Sequence, residues 1–265
     1  MTEEAFFRAE GEAYLANPIS AGPWRASSLM GRAVCGLIGH VIEKDHLDPG
    51  FVPARFTVEL FDFADFSPLT VATRRIRDGG RMRLVEAELI CGGRVRANAS
   101  CQLLRHTEAP EGRVWSPPDW DAPPPEQLID DPTRPKWRFR VAAGSVGHIG
   151  LKRAWMQDYR QLIAGAPLTP FARAALAADF ASPFSHAGDR GIEYINTDTT
   201  LYLHRLPEGE WIGVEATDHQ ATAGLAVGQV RFYDQRGPIG FGAAAALAQR
   251  KLAPPQRETT INEDD

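Results

Sequence analysis

One apolar helix followed by four alternating, β-rich runs occurs twice in this chain, and that order constrains the fold more than any other feature. In the first copy, residues 31–44 place Ala33, Val34, Leu37, Ile38, Val41 and Ile42 in an i, i+3/i+4 stripe. Such spacing predicts a helix with one broad apolar face. Ala33, Cys35, Gly36 and Gly39 are small, so another element can approach this helix closely. The runs 55–63, 69–77, 82–91 and 95–104 alternate as strands do, with Asp78-Gly79-Gly80 and Gly92-Gly93 as tight turns. The second copy has a helix over 170–180, ended by Ser182-Pro183, then strands near 193–206, 210–218, 224–233 and 239–249. Gly80 and Gly224 stand as far apart in the sequence as Gly93 and Gly237, the signature of an internal duplication. The same offset sets Cys35 opposite Asp179 on the two helices.

Proline-rich sequence separates the copies. The segments 115–126 and 131–135 favour extended backbone and supply few amide donors, as a connector does. The expected organisation is a first unit over 1–110, a Pro-rich linker over 111–135, a second unit over 136–252 and a polar, disordered tail over 253–265. A chain of 265 residues is long enough for two such units.

The formal net charge is −5, which lacks the electrostatic footprint of a phosphate-backbone binder, so no nucleic-acid partner is expected. Acids follow Met1 where a signal peptide carries cations, and no apolar run reaches the length of a membrane span. No membrane partner is expected, and the expected location is cytoplasmic. Cys35, Cys91 and Cys101 lie among apolar or small neighbours and read as buried reduced thiols rather than as a redox or metal set. The seven histidines are scattered singly, without ligand spacing. No metal and no cofactor are expected.

Several short motifs then resemble one family in order. They are Gly22-Pro23-Trp24, the helix over 31–39 and the strands over 71–93 in the first half. In the second they are Arg153-Ala154-Trp155-Met156, Leu176-Ala177-Ala178-Asp179-Phe180, Thr199 to Arg205, Glu210-Trp211-Ile212 and Phe232 to Ile239. On these residues the chain resembles the acyl-CoA thioesterase II family and its thioesterase-like relatives. The resemblance implies an α+β double hotdog, two tandem units each with an antiparallel sheet wrapped around a long helix. It also implies hydrolysis of an acyl-CoA or acyl-carrier thioester to the free acid and thiol, and a role in lipid metabolism; a homo-oligomer is a separate possibility among the partners.

In that family a helix-end aspartate, a strand threonine and a glutamine near the last strand position the attacking water. Asp179 matches the aspartate. An acid in a helix's last turn opposes the helix dipole, and burial would raise its pKa toward that of a useful base; an exposed helix-end acid is the plainer alternative. The threonine's place falls to Asn196, which can hydrogen-bond a water or merely open the strand. Strict alternation puts Thr199, Leu201 and Leu203 on the helix and turns Asn196, Asp198, Thr200, Tyr202 and His204 away. The glutamine's place falls to Ala245, which offers no polar group, and Gln249 is too far along the strand to substitute. Asp179 and Asn196 are therefore the catalytic candidates, with a non-catalytic acyl-thioester binding module as the alternative. Arg74, Arg75 and Arg77, with Arg81 and Arg83, form a basic cluster that could hold CoA phosphates or simply coat a hairpin tip. His204 is a further substrate-binding candidate, against a structural role. His186 is too far from Asp179 in sequence for the acid–histidine spacing of hotdog hydratases. No G-x-S-x-G or nucleotide-binding fingerprint is present.

Overall fold

The computed structural model describes residues 5–25, 27–134, 136–144 and 147–249. Two short strands, β1 (Phe7–Glu10) and β2 (Ala13–Ala16), precede α1 (Gly31–His46), whose predicted stripe is buried along its length. Four strands follow: β3 (Phe51–Leu60), β4 (Leu69–Asp78), β5 (Met82–Cys91) and β6 (Arg94–Arg105). The second half opens with β7 (Arg138–Ala143) and β8 (Arg153–Gln157), then α2 (Pro170–Ala178) and α3 (Ala181–His186). It closes with β9 (Tyr194–Asn196), β10 (Asp198–Leu203), β11 (Trp211–Thr222), β12 (Leu225–Asp234) and β13 (Gly237–Ala248).

All thirteen strands join one antiparallel sheet, in the order β1-β2-β4-β5-β6-β3-β10-β13-β12-β11-β8-β7, with β9 also on β13. The run β2-β4-β5-β6-β3 in the first half has its counterpart in β8-β11-β12-β13-β10 in the second. The two units meet where β3 pairs β10, with Val58 opposite Thr199 and Phe56 opposite Leu201. This is the α+β double hotdog: two helix-and-sheet units fused edge to edge. Inward residues of the strands alternate with exposed ones and bury the helices between them. The three cysteines are free and buried.

The small residues of α1 face the second helix. A Cβ added to Gly39 would stand 2.6 Å from Ala175 Cβ, and one at Gly36 would stand 2.8 Å from Leu176. The helices run antiparallel, so Gly31 at the start of α1 meets Asp179 just beyond the end of α2. Gly39→Ala is expected to lower unfolding free energy by about 1–3 kcal/mol, because the helices must separate to admit the methyl group. Urea denaturation measures it, and an unchanged midpoint would mean that the helices do not approach so closely.

Three expectations about the second half require correction. Helix α2 ends at Ala178, before Ser182-Pro183, and after a break at Asp179 and Phe180 the chain resumes as α3. Pro183 sits in the first turn of α3, where its missing N–H costs no helical bond. The offset shared by the turn glycines does not extend to the helices, which begin at Gly31 and Pro170; Cys35 and Asp179 are therefore not equivalent positions. The strand expected over 193–206 is also interrupted. Asn196 pairs Ala246 while Thr200 pairs Ala243, so the register slips by one residue at Thr197.

The described part of the Pro-rich segment has no regular strand and is strapped across the second half's sheet. Trp120 stacks on Tyr233 with ring centres 4.2 Å apart and meets Trp155 edge-on at 5.0 Å. Trp155 Nε1 donates to Pro123 O at 2.9 Å, and Arg153 pairs Asp121 at 2.5 Å. The tail over 253–265 lies outside the described residues. Among the described residues no helix is long and apolar enough to cross a membrane.

Candidate active site

Between the two halves lies a cavity of about 820 Å³, bordered by the start of α1, the Asp179–Phe180 break and β9. Asp179 and Asn196 both line it. The helix break delivers the aspartate: at Asp179 the chain leaves α2, and the carboxylate projects onto the first turn of α1. A Cβ at Gly31 would stand 2.7 Å from Asp179 Oδ1, so glycine is needed for this approach. The carboxylate therefore faces the first turn of α1, the helix end where the dipole favours an anion.

The strand slip delivers the asparagine. Continuous alternation would leave Asn196 on the outer face, but the extra residue at Thr197 turns it inward. Asn196 Nδ2 donates to Asp179 Oδ1 at 3.1 Å and to Asp198 O at 3.3 Å. Asp198 holds the slipped segment in place: its Oδ1 accepts from Ala245 N–H at 2.8 Å, while Thr197 N–H donates to Ala245 O at 3.0 Å. The expected outward orientation of Asn196 is thus overturned by a one-residue bulge. On the neighbouring strand it is Ala246 that faces Asn196 and shares its side of the sheet. Ala245 points to the other side, so the apolar position nearest the pair is Ala246.

Burial raises the Asp179 pKa above the ordinary carboxylate range. The Asn196 bond, the Arg32 charge and the Arg32 backbone N–H each pull it part of the way back. The result is a carboxylate that opens onto a largely apolar cavity, is held by Asn196 and faces the head of α1. Asn196→Ala removes one of the forces stabilising the anion, so the Asp179 pKa is expected to rise further. The acid limb of kcat/KM for any reaction needing the ionised form should then move to higher pH. An unmoved limb in that variant would show that Asn196 does not act on the carboxylate.

The other predicted residues are not brought to the cavity. Arg74 pairs Glu86 at 2.5 Å, Arg75 reaches Asp48 and Asp78 at 3.4 and 3.2 Å, and Arg77 is exposed on the same strand. None of the three lines the cavity; they lie on a hairpin whose neighbouring acids offset their charge. His204 is exposed, with Nε2 3.0 Å from Pro238 O. His186 lies against His219, Nδ1 to Nδ1 at 3.0 Å, rather than against Asp179, and burial pulls its pKa down to about 4.

Sequence reasoning missed Arg32, Lys136 and Trp137, which line the same cavity. Arg32 is buried and pairs Asp158 at 2.6 Å, with its guanidinium 4.3 Å from the Trp137 ring centre. One signal was available: Arg32 is a charge set between Met30 and Ala33, at the head of an otherwise apolar helix.

Comparison with known proteins agrees with this architecture. The family profile for the acyl-CoA thioesterase N-terminal domain matches residues 20–104, and that for the acyl-CoA thioesterase C-terminal domain matches residues 107–246. Among solved structures, a putative thioesterase from Novosphingobium aromaticivorans is similar at 21% identity and TM-score 0.72, over 92% of this chain and 99% of that one. A hot dog fold protein of unknown function from Alicyclobacillus acidocaldarius is similar at 14% identity and TM-score 0.73, over 93% and 96% of the two chains. An acyl-CoA thioesterase II from Mycobacterium marinum is similar at 16% identity and TM-score 0.64, over 92% and 96%. These likenesses concern the fold. A search of curated proteins gave no match. With both domain profiles matched in order along most of its length, the chain belongs to the acyl-CoA thioesterase family.

Proposed function

We propose that this protein hydrolyses an acyl-CoA thioester, with Asp179 as the base that activates water and Asn196 as the residue that orients both. The observation that carries this reading is the Asp179 carboxylate, raised in pKa by burial and exposed to a cavity large enough for an acyl group. A water beside Asp179 would lose a proton to the carboxylate as its oxygen bonds to the thioester carbon. The tetrahedral oxyanion then collapses, the C–S bond breaks, and the thiolate leaves with the proton that Asp179 took. Both Nδ2 hydrogen bonds of Asn196 go to fixed acceptors, which leaves its Oδ1 to accept from the water. No metal or covalent intermediate enters these steps.

Release of free thiol from a panel of acyl-CoAs is the test, and turnover of at least one member is expected. A second reading, an acyl-thioester binder without turnover, is favoured by one observation: the glutamine's place falls to Ala245, and Ala246, which faces Asn196, offers the water no polar group either. Removing a positioned donor from such a site commonly costs roughly 10²–10³ in rate. That reading predicts binding by calorimetry with no thiol release.

A further inference from the structure

One wall of the cavity carries hydrogen-bond donors that no acceptor among the described residues fills. Arg32 is 3% exposed, yet its Nε and Nη1 have no partner among the described residues; its Nη2 alone meets Asp158. Trp137 Nε1, on the ring that stacks beneath that guanidinium, is likewise buried without a partner. Lys136 adds a third donor group. Its Nζ gives one hydrogen bond to Ala21 O at 2.7 Å and forms no ion pair among the described residues, and burial together with the Arg32 charge holds its pKa down. The acids near the cavity are otherwise engaged: Asp158 pairs Arg32 through Oδ2, its buried Oδ1 meeting no donor, Asp62 pairs Arg96, and Asp179 takes Asn196. The wall is therefore rich in donors and carries a cation with no acid of its own.

Buried N–H groups left without acceptors are costly, and a methylene chain laid against this wall would leave them so. A carboxylate has two oxygens that accept several such bonds and balances the Lys136 charge. The distance between this wall and the reacting centre is bounded by one residue. Gly31, the residue before Arg32, lies against Asp179 while the Arg32 side chain reaches Trp137, so the two ends of the ligand are separated by about an arginine side chain.

We propose that the Arg32–Lys136–Trp137 wall holds a carboxylate at the far end of the acyl group, making short carboxyacyl thioesters the preferred substrates. Such substrates are dicarboxylic acids joined to the thiol at one end. This inference rests on the reading of Asp179 as the hydrolytic centre. The bulk of the cavity, lined by Phe139, Phe180 and Phe184 among others, would enclose the methylenes between the two polar ends.

The test pairs acyl-CoAs of equal length with and without the terminal carboxylate: succinyl with butyryl, glutaryl with valeryl, adipyl with hexanoyl. Thiol release gives kcat/KM, and calorimetry gives affinity for each member. The carboxyacyl member is expected to be favoured by at least roughly 10²-fold in at least one pair, within the roughly 10⁴–10⁵ that a site built to hydrogen-bond a substrate group can reach. In Lys136→Met and Trp137→Phe that ratio should fall about 10-fold, chiefly through KM, because each removes one donor. Trp137→Phe keeps the ring under Arg32, so a folding defect does not obscure the result; circular dichroism confirms the fold of both. Tighter binding of carboxyacyl-CoAs without thiol release would uphold this inference and overturn the hydrolase reading. Turnover with neutral chains equal or preferred would do the reverse, as would ratios unchanged in both variants. Binding of neither series would overturn both.

Discussion

Replacing Asp179 with asparagine is expected to lower kcat for thiol release by about 10²–10⁴, the range for loss of a positioned general base. Asparagine keeps the size of the side chain and can still accept from Asn196, so the cavity walls stay in place. Affinity for acyl-CoA should change little, and the loss should appear in kcat rather than KM. The stability effect has the opposite sign from that of most buried substitutions. The folded pKa of Asp179 lies above the ordinary carboxylate value because burial disfavours the anion. Its contribution to stability is thus fully present below the unfolded pKa and is lost as pH rises through the folded pKa. Asparagine suffers no such loss, so the variant should be at least as stable as the parent at neutral pH. A variant that unfolds more readily at pH 7, yet keeps its activity per folded molecule, would contradict both parts of this account.

The second large effect concerns folding. Arg32 and Asp158 come from opposite halves of the chain, pair at 2.6 Å, and each has a side chain 3% exposed. Asp158→Ala would leave the guanidinium buried without its counter-charge, and breaking such a pair from one side typically costs about 3–5 kcal/mol. Chemical denaturation should show a loss of that size. The double variant Arg32→Met/Asp158→Leu should recover much of it, because the desolvated charges are then both gone. A loss below about 1 kcal/mol in Asp158→Ala would mean that water reaches the pair and that the wall described above is not dry.

The fold was legible because its signals are local and repeated. The α1 stripe, the period-two runs and the glycine turns each follow from spacing in one segment, and all are present, with the run over 193–206 split into β9 and β10. The helix break at Asp179 was not legible in this way. Nothing in the run before it requires a stop at Ala178, and Pro183 pointed to a later end. Asp179 and Phe180 keep helical backbone angles, and Phe180 N–H donates to Ala177 O, so the interruption is a tightened turn that no single residue type announces. Asn196 is the more instructive case. It was chosen as a candidate from its place in a family motif, while its predicted face was wrong, because a single-residue bulge at Thr197 reverses the parity on which face assignments rest. The bulge depends on Asp198 accepting from Ala245, a contact between residues far apart in sequence. The arginine cluster of β4 shows the converse. A run of cations suggests a phosphate site, but Glu86 and Asp48 on adjoining segments and Asp78 at the end of β4 itself are already there to offset it.

The central claim is that a buried carboxylate at position 179 activates water for thioester cleavage. The pH profile of kcat/KM for thiol release, measured on the parent and on Asp179→Asn with the best acyl-CoA of the panel, tests it most directly. The account predicts one acid limb in the parent, with its midpoint above the ordinary carboxylate range, and no such limb in the variant's residual rate. A limb that persists unchanged in Asp179→Asn, or a parent protein that binds acyl-CoA and releases no thiol at any pH, would contradict it.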